Sequence, residues 1–203
     1  MKQLLTTLRR TWRRWRRIRH RCGYGIHSPF AFGLVTGVIY ERETYYAYAP
    51  LHALRPQHTE ALCERDDQLL FRLINYHQPR SCFVVGAHAE LTMQYLKAGC
   101  CNCSFHHTDG AEALCEQHPT QFPPETDMLC LIGCDTWTEW AERALQSEGS
   151  RCMIVISDID ADKGHAWQHI IKDTRVRMSF DLGHIGILCC EKRLNKQDFI
   201  IRY

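Results

Sequence analysis

Gly86 and Asp109 stand 23 positions apart and carry the clearest chemical signal in this sequence. Gly86 closes a short apolar run, residues 82–85, and opens a helical pattern. A glycine at such a junction lets a ligand approach the backbone, and the helix start behind it presents free amide donors. An acid about 20 residues further on, at the end of the next strand, is placed to accept hydrogen bonds from ribose hydroxyls. The pair therefore matches a nucleotide-like cofactor site, although Thr108-Asp109-Gly110 also makes an ordinary turn. Asp158 is the third candidate. It ends a later apolar run, and Asp160 and Asp162 follow it. Three closely spaced carboxylates can hold a hard cation, and one of them can act as a base. They can equally form a solvated loop that caps the next helix.

The cysteines offer a competing chemistry. Cys100 and Cys103 form a C-x-x-C, and Cys130 and Cys134 a C-x-x-x-C. A four-cysteine zinc site needs two such knuckles to converge. Here Cys130 falls inside one apolar run and the first pair leads into another. His106 and His107 are adjacent on a strand, so their side chains point to opposite faces. No metal site is expected. The twelve cysteines of the chain lie largely in or beside strand-like runs, where they act as small hydrophobes. The strained G-x-S-x-G nucleophile turn and the G-x-x-x-x-G-K-[ST] phosphate loop are both absent from the sequence.

The elements that must position these residues follow from periodicity. From about residue 80 onward, short apolar runs alternate with helical stretches. Strands are expected at 82–85, 103–107, 128–132 and 153–156, and helices at 91–98, 111–118, 136–146 and 165–172. Two further strands, 176–182 and 185–191, are too close together for a crossover. They predict an antiparallel hairpin at one edge with Gly183 at its turn, and residues 199–202 can add a third strand. The fold class is α/β, a Rossmann-like, mainly parallel sheet with an antiparallel C-terminal hairpin, preceded by N-terminal helices.

Two segments precede the alternation. Ser28 and Pro29 form a helix start, a cap followed by a residue that needs no amide hydrogen. An apolar helix then runs to about residue 41. Residues 42–59 read as a connector rich in Tyr, Ala, Pro and His, and residues 60–77 as a helix stopped by Pro79. His27, just before the cap, is either a ligand contact or a local hydrogen-bonding group. Tyr45, Tyr46 and Tyr48 either line a pocket or pack a loop. The expected division is an N-terminal helical extension over 1–59 and an α/β domain over 60–203.

Formal net charge is +2, which gives no global bias toward nucleic acid or anionic membranes, but eight arginines crowd the first 21 residues. Residues 3–21 read as a basic amphipathic helix with Leu5, Leu8, Trp12, Trp15 and Ile18 on one stripe. That helix docks on its own domain, joins two copies as a homodimer, or lies on an anionic surface, lipid or RNA. No apolar run reaches the roughly 20 residues of a membrane span. The basic start lacks the apolar stretch of a secretory signal, so a reducing, cytoplasmic location is expected.

Beyond these physical signals, the chain resembles a group of bacterial class I S-adenosylmethionine-dependent methyltransferase-like proteins of the Bacteroidetes type. The likeness lies in three places: His27-Ser-Pro-Phe-Ala-Phe-Gly-Leu-Val-Thr36, Leu69-Leu-Phe-Arg-Leu-Ile-Asn-Tyr76, and the end from Ser157-Asp158-Ile159 through Phe180-Asp-Leu-Gly-His-Ile-Gly-Ile187 to Gln197-Asp-Phe-Ile-Ile-Arg202. The resemblance implies a seven-stranded sheet with a reversed final strand, and methyl transfer to an unknown acceptor with S-adenosylmethionine as cofactor. Its implied cofactor contacts are Gly86, Ala87, His88, Asp109 and Gly110, and Asp158 is the implied catalytic residue, part of an acidic pair. Several positions depart from the family pattern. Val84 replaces the acid before the loop glycine, and Glu90 stands at a later loop glycine. Ile132-Gly133-Cys134 stands where an Asp is expected, and Ser157 replaces the first member of the acidic pair. The segments 118–127 and 42–59 are short for the family. These departures imply reduced or lost transfer, or a silent binding protein that keeps the fold.

Overall fold

The computed structural model describes residues 25–109, 126–146, 152–159 and 164–203. The basic helix expected over 3–21 and the helix expected over 111–118 lie outside the described residues.

The chain enters at Ser28, whose hydroxyl accepts the amide hydrogen of Ala31 at 3.3 Å, and Pro29 begins helix α1, Pro29–Leu34. Straight α-helix was expected to about residue 41. Instead Val35–Ile39 is a π turn, closed by Tyr40 N–H donating to the Val35 carbonyl at 3.0 Å. The sequence there weakens the α ladder. Gly37 costs backbone entropy, and Thr36 turns its hydroxyl back onto the Phe32 carbonyl at 2.8 Å.

Within the expected connector the structure holds a short helix, α2, Tyr48–Leu54, and a 3-10 turn, Arg55–Gln57. Pro50 sits in the first turn of α2, where its missing N–H costs nothing. Tertiary packing supplies the rest, because Ala47, Tyr48 and Leu51 bury against Phe71, Leu91 and Tyr95. Helix α3, Glu64–His77, follows and stops at Gln78, which takes a left-handed φ of 48° just before Pro79.

The alternation then runs β1 Ser81–Val85, α4 Glu90–Gly99, β2 Ser104–Thr108, β3 Met128–Leu131, α5 Trp137–Gln146, β4 Met153–Ile156, α6 Gly164–Ile170, β5 Met178–Asp181, β6 Gly186–Cys189 and β7 Gln197–Ile200. The seven strands lie in the order β2-β1-β3-β4-β6-β5-β7. Only β6 runs against the others. The hairpin turns at Gly183 as expected, with φ +108°. It is not the edge of the sheet, because β7 pairs in parallel with β5 and covers it. The reversed strand makes this cheap: β6 returns the chain to the amino edge, so residues 190–196 reach β7 without a crossover helix.

Successive strand residues face opposite layers. Cys82, Val84, Met128, Cys130, Met153 and Val155 pack with α1, α3 and α4 on one face. Phe83, Val85, Leu129, Leu131, Ile154 and Ile156 pack with Trp137, Trp140 and Trp167 of α5 and α6 on the other. Gly99 ends α4 without a left-handed backbone. It belongs to the helix, and its lack of a side chain serves packing: a Cβ there would lie 2.7 Å from both the Phe71 carbonyl oxygen and Ile74 Cγ2 of α3.

Cys82, Cys100, Cys130, Cys152 and Cys189 are buried, whereas Cys63 and Cys101 are exposed. Burial pushes the Cys190 and Cys103 thiols up to about 12. Among the described residues all the cysteines are free thiols. At pH 8 a disulfide reagent such as DTNB should label Cys63 and Cys101 of the folded protein within minutes, and the five buried thiols only after denaturant is added. Peptide mapping of the labelled sites checks this, and rapid native labelling of Cys130 or Cys189 would contradict their place in the core.

Candidate cofactor junction at the carboxyl edge of the sheet

Three parallel strands end side by side at this junction. Past their last residues, Gly86 N–H donates to the Thr108 carbonyl (2.9 Å), Ile132 N–H to the Val85 carbonyl (2.8 Å) and Ser157 N–H to the Leu131 carbonyl (2.9 Å). The ladder therefore continues one residue beyond each strand and holds the turn residues in register.

Gly86 has φ +151°, and a Cβ on it would meet the Ile132 carbonyl oxygen at 2.1 Å. No other residue fits there without moving β1 from β3. The packing alone therefore demands this glycine, whether or not a ligand binds. Its carbonyl accepts a hydrogen bond from His107 Nε2 at 2.8 Å. His106, on the opposite face of β2, stacks on Phe83 with ring centroids 6.3 Å apart, so the two histidines separate as the strand period requires.

The structure brings Gly86 and Asp109 together, because Gly86 bonds the carbonyl of the residue just before Asp109. Asp109 is exposed at the mouth of the junction, as are Ala87 and His88. His88 Nε2 pairs with Glu60 at 2.7 Å, and the two side chains are 61% and 66% exposed. Water screens that contact, so it spans the turn without adding much stability. Glu90, also exposed, is the first residue of α4. Its carboxylate takes the favourable position at a helix start, where unpaired amides attract negative charge. Gly110 lies outside the described residues.

Asp158 stands two strands away from Gly86, about 10 Å along the sheet at the usual strand spacing. It is exposed and left-handed, with φ +60°, a conformation that costs a non-glycine residue energy and that aspartate tolerates better than most. Ser157 organises this corner. Its hydroxyl accepts the Gly133 amide hydrogen at 2.8 Å and donates to Asp158 Oδ2 at 3.2 Å. Asp160 and Asp162 lie outside the described residues. Sequence reasoning read Ser157 only as a missing acid and did not foresee that its hydroxyl would tie β3 to β4.

Two buried carboxylates above the junction also escaped the sequence. Asp67, fully buried, accepts from Arg55 Nη1 at 2.8 Å and Thr92 Oγ1 at 2.7 Å. Burial raises its pKa, opposed by those two partners. Arg55 is raised in turn: its own desolvation lowers it, and Asp67 and Tyr95 together outweigh that. The pair thus favours the guanidinium charge, while burial works against the carboxylate's. Asp66 holds His184 of the β5–β6 turn through Nε2 at 2.8 and 2.9 Å. Acids in a helix first turn look like ordinary dipole complements, and nothing in their spacing reveals a partner 118 residues away.

The cysteine motifs do not form a knuckle. Cys100 Sγ contacts Gln78 Oε1 at 3.5 Å, Cys103 Sγ the Ser104 carbonyl at 3.5 Å, and Cys134 Sγ the Thr136 hydroxyl at 3.5 Å. Among the described residues no group of three or more His, Cys, Asp or Glu is placed to hold a metal. Nor is any described helix long and apolar enough to cross a membrane.

No protein-family model and no curated protein matches the chain. Solved structures do. An O-methyltransferase, TomG from Streptomyces achromogenes, in complex with SAM, is 13% identical with a TM-score of 0.52, over 77% of this chain and 95% of that one. The SAH-bound Podospora anserina methyltransferase PaMTH1 is 7% identical with a TM-score of 0.56, over 82% and 97%. A methyltransferase from Geobacter sulfurreducens is 12% identical with a TM-score of 0.51, over 81% and 97%. At such identities the likeness is one of fold, and the fold is that of the class I methyltransferases.

Gly86→Ala should destabilise the protein by about 3 kcal/mol or more, since the added methyl must displace a backbone carbonyl. Urea denaturation measures this. A neutral result would mean that β1 and β3 separate easily at this point.

Proposed function

We propose that this chain is a methyltransferase-like protein related to the Bacteroidetes proteins that carry the His27-Ser-Pro-Phe30 motif, and that its methyl transfer is reduced or lost. The observation that carries the proposal is Glu90. A carboxylate at the first residue of α4 occupies the positive end of the helix, where the amino-acid carboxylate of S-adenosylmethionine would otherwise be attracted. Two like charges at one helix start repel. The bond from His107 to the Gly86 carbonyl adds to this, because it engages a backbone acceptor at the turn. Gly86, Ala87, His88, Asp109 and Gly110 remain the residues through which any cofactor binding would run, with Asp109 accepting from the ribose.

An active transferase is the second reading, favoured by Asp158. A left-handed aspartate held by a neighbouring hydroxyl is a strained residue at the carboxyl edge, where strain is often kept for function. In that case Asp158 would take a proton from an acceptor while the fold held nucleophile and methyl in line. In the silent reading the protein acts by binding, and its basic residues 3–21 engage a second copy or an anionic surface.

Isothermal titration with S-adenosylmethionine and S-adenosylhomocysteine separates the two. The wild type should give no saturable heat at millimolar ligand. Glu90→Gly should bring saturable binding into the millimolar range, a gain of at least about tenfold or roughly 1.4 kcal/mol. Micromolar binding by the wild type, abolished in Asp109→Ala, would establish the active reading instead.

A further inference from the structure

Between α3 and the end of β7 lies a cavity of about 680 Å³, lined by Tyr40, Arg42, Arg65, Gln68, Arg72 and Tyr203, with Ile39, Glu41 and Arg202 completing the wall. Four arginines face one carboxylate. Arg202 follows β7, five strand spacings from Gly86, about 24 Å along the sheet. The opposite wall, Arg65, Gln68 and Arg72, belongs to α3, whose Asp67 bonds Thr92 of α4, so the cavity lies beside the cap over the junction and its own lining shares no residue with Gly86, Asp109 or Asp158.

Arg72 is the central feature. It is 94% buried, being only 6% exposed. Its partners are all neutral: Nε donates to the Val38 carbonyl at 2.8 Å, Nη1 to the Tyr48 hydroxyl at 3.4 Å, and the guanidinium also meets the Tyr203 phenol. The Val38 carbonyl lies within the π turn, whose irregular ladder turns a helix carbonyl toward a side chain. A buried cation needs an opposite charge or a full set of acceptors. Among the described residues no carboxylate pairs with Arg42, Arg65, Arg72 or Arg202.

The acids nearby are already engaged. Glu41 Oε1 accepts the amide hydrogens of Arg42 at 2.9 Å and Glu43 at 3.0 Å. Asp66, which faces Tyr203, is held by His184. The aromatic walls are fixed as well. Tyr203 donates to the Arg65 carbonyl at 2.7 Å while the Arg65 guanidinium lies 3.9 Å above its ring, and Tyr40 donates to the Arg202 carbonyl at 2.8 Å.

We propose that this cavity binds the phosphate group of a small phosphorylated molecule, with Arg72 as the buried anchor and Arg42, Arg65 and Arg202 around the rim. Planar guanidiniums recognise phosphate oxygens in a bidentate fashion, and a dianion matches the excess of positive charge better than a single carboxylate. The volume suits a ligand larger than the phosphate itself, with tyrosine rings to flank it.

Thermal-shift and calorimetric titrations of the full chain with inorganic phosphate and with pyrophosphate, at ionic strength held constant with sodium chloride, test this. Both anions should raise the melting temperature saturably, pyrophosphate at lower concentration, whereas acetate should not. Arg72→Gln should weaken binding by a factor of about ten or more. Should that variant fold poorly, the Arg42→Ala/Arg202→Ala double variant alters only the rim and should show the same loss. Arg80→Ala, an exposed arginine at the start of β1, should bind as the wild type does. No saturable binding up to about 20 mM phosphate or pyrophosphate would overturn the proposal. So would undiminished binding in the rim variant, or a short RNA that binds where both small anions fail.

Discussion

The packing of Gly86 against the Ile132 carbonyl, so tight that a Cβ would lie 2.1 Å from its oxygen, sets the spacing on which the carboxyl edge depends. Parallel strands sit about 4.8 Å apart, and a side chain at the point where one strand bends over its neighbour would wedge them open. Glycine at 86 removes the wedge. β1 can then turn directly into α4 while β3 runs on to Gly133, and the Gly133 amide is left in place to meet the Ser157 hydroxyl. One contact between main chains thus fixes three strand ends and the start of a helix. The candidate residues Asp109, Glu90 and Asp158 stand where they do because of it.

How much of this the sequence revealed can be judged residue by residue. The strand–helix alternation, the hairpin at Gly183 and the junction at Gly86 were all legible, since each rests on local periodicity or on a backbone conformation that few residues adopt. The reason for a glycine was not legible. Gly86 looked like a ligand-driven choice, yet it serves close packing against a residue far along the chain, as Gly99 does. Helix α2 was hidden because Pro50 reads as a breaker and its stability comes from Phe71 and Tyr95, which belong to other helices. The place of β7 outside β5 was hidden because pairing order depends on how sheet layers close, and not on any pattern within a strand.

Charge is distributed unevenly along the same edge. Near the start of α3 the acids are matched: Asp66 to His184 and Asp67 to Arg55 and Thr92. These bonds tie α2, α3, α4 and the β5–β6 turn into one cap over the sheet. Toward β7 the balance reverses, and Arg72 is buried among neutral partners only. Arg42, Arg65, Arg72 and Arg202 share no spacing, so nothing in the sequence signals that they meet. The folded chain assembles them from the segment after the π turn, α3 and the segment after β7.

The π turn at Val35–Ile39 amounts to a helix that has accommodated one extra residue. Excising a single position there, Gly37 for instance, would restore the ordinary helical repeat. Because the turn absorbs the extra residue locally, Ala31 and Leu34 on its amino side would keep their places in the core. The change would fall on the last turn, where the Tyr40 amide now reaches back five residues to Val35 and would then reach back four. The carbonyls of that turn, Val38 among them, would shift against Arg72. The extra residue thus bears on how the helix end meets the arginine, and not on the packing that precedes it.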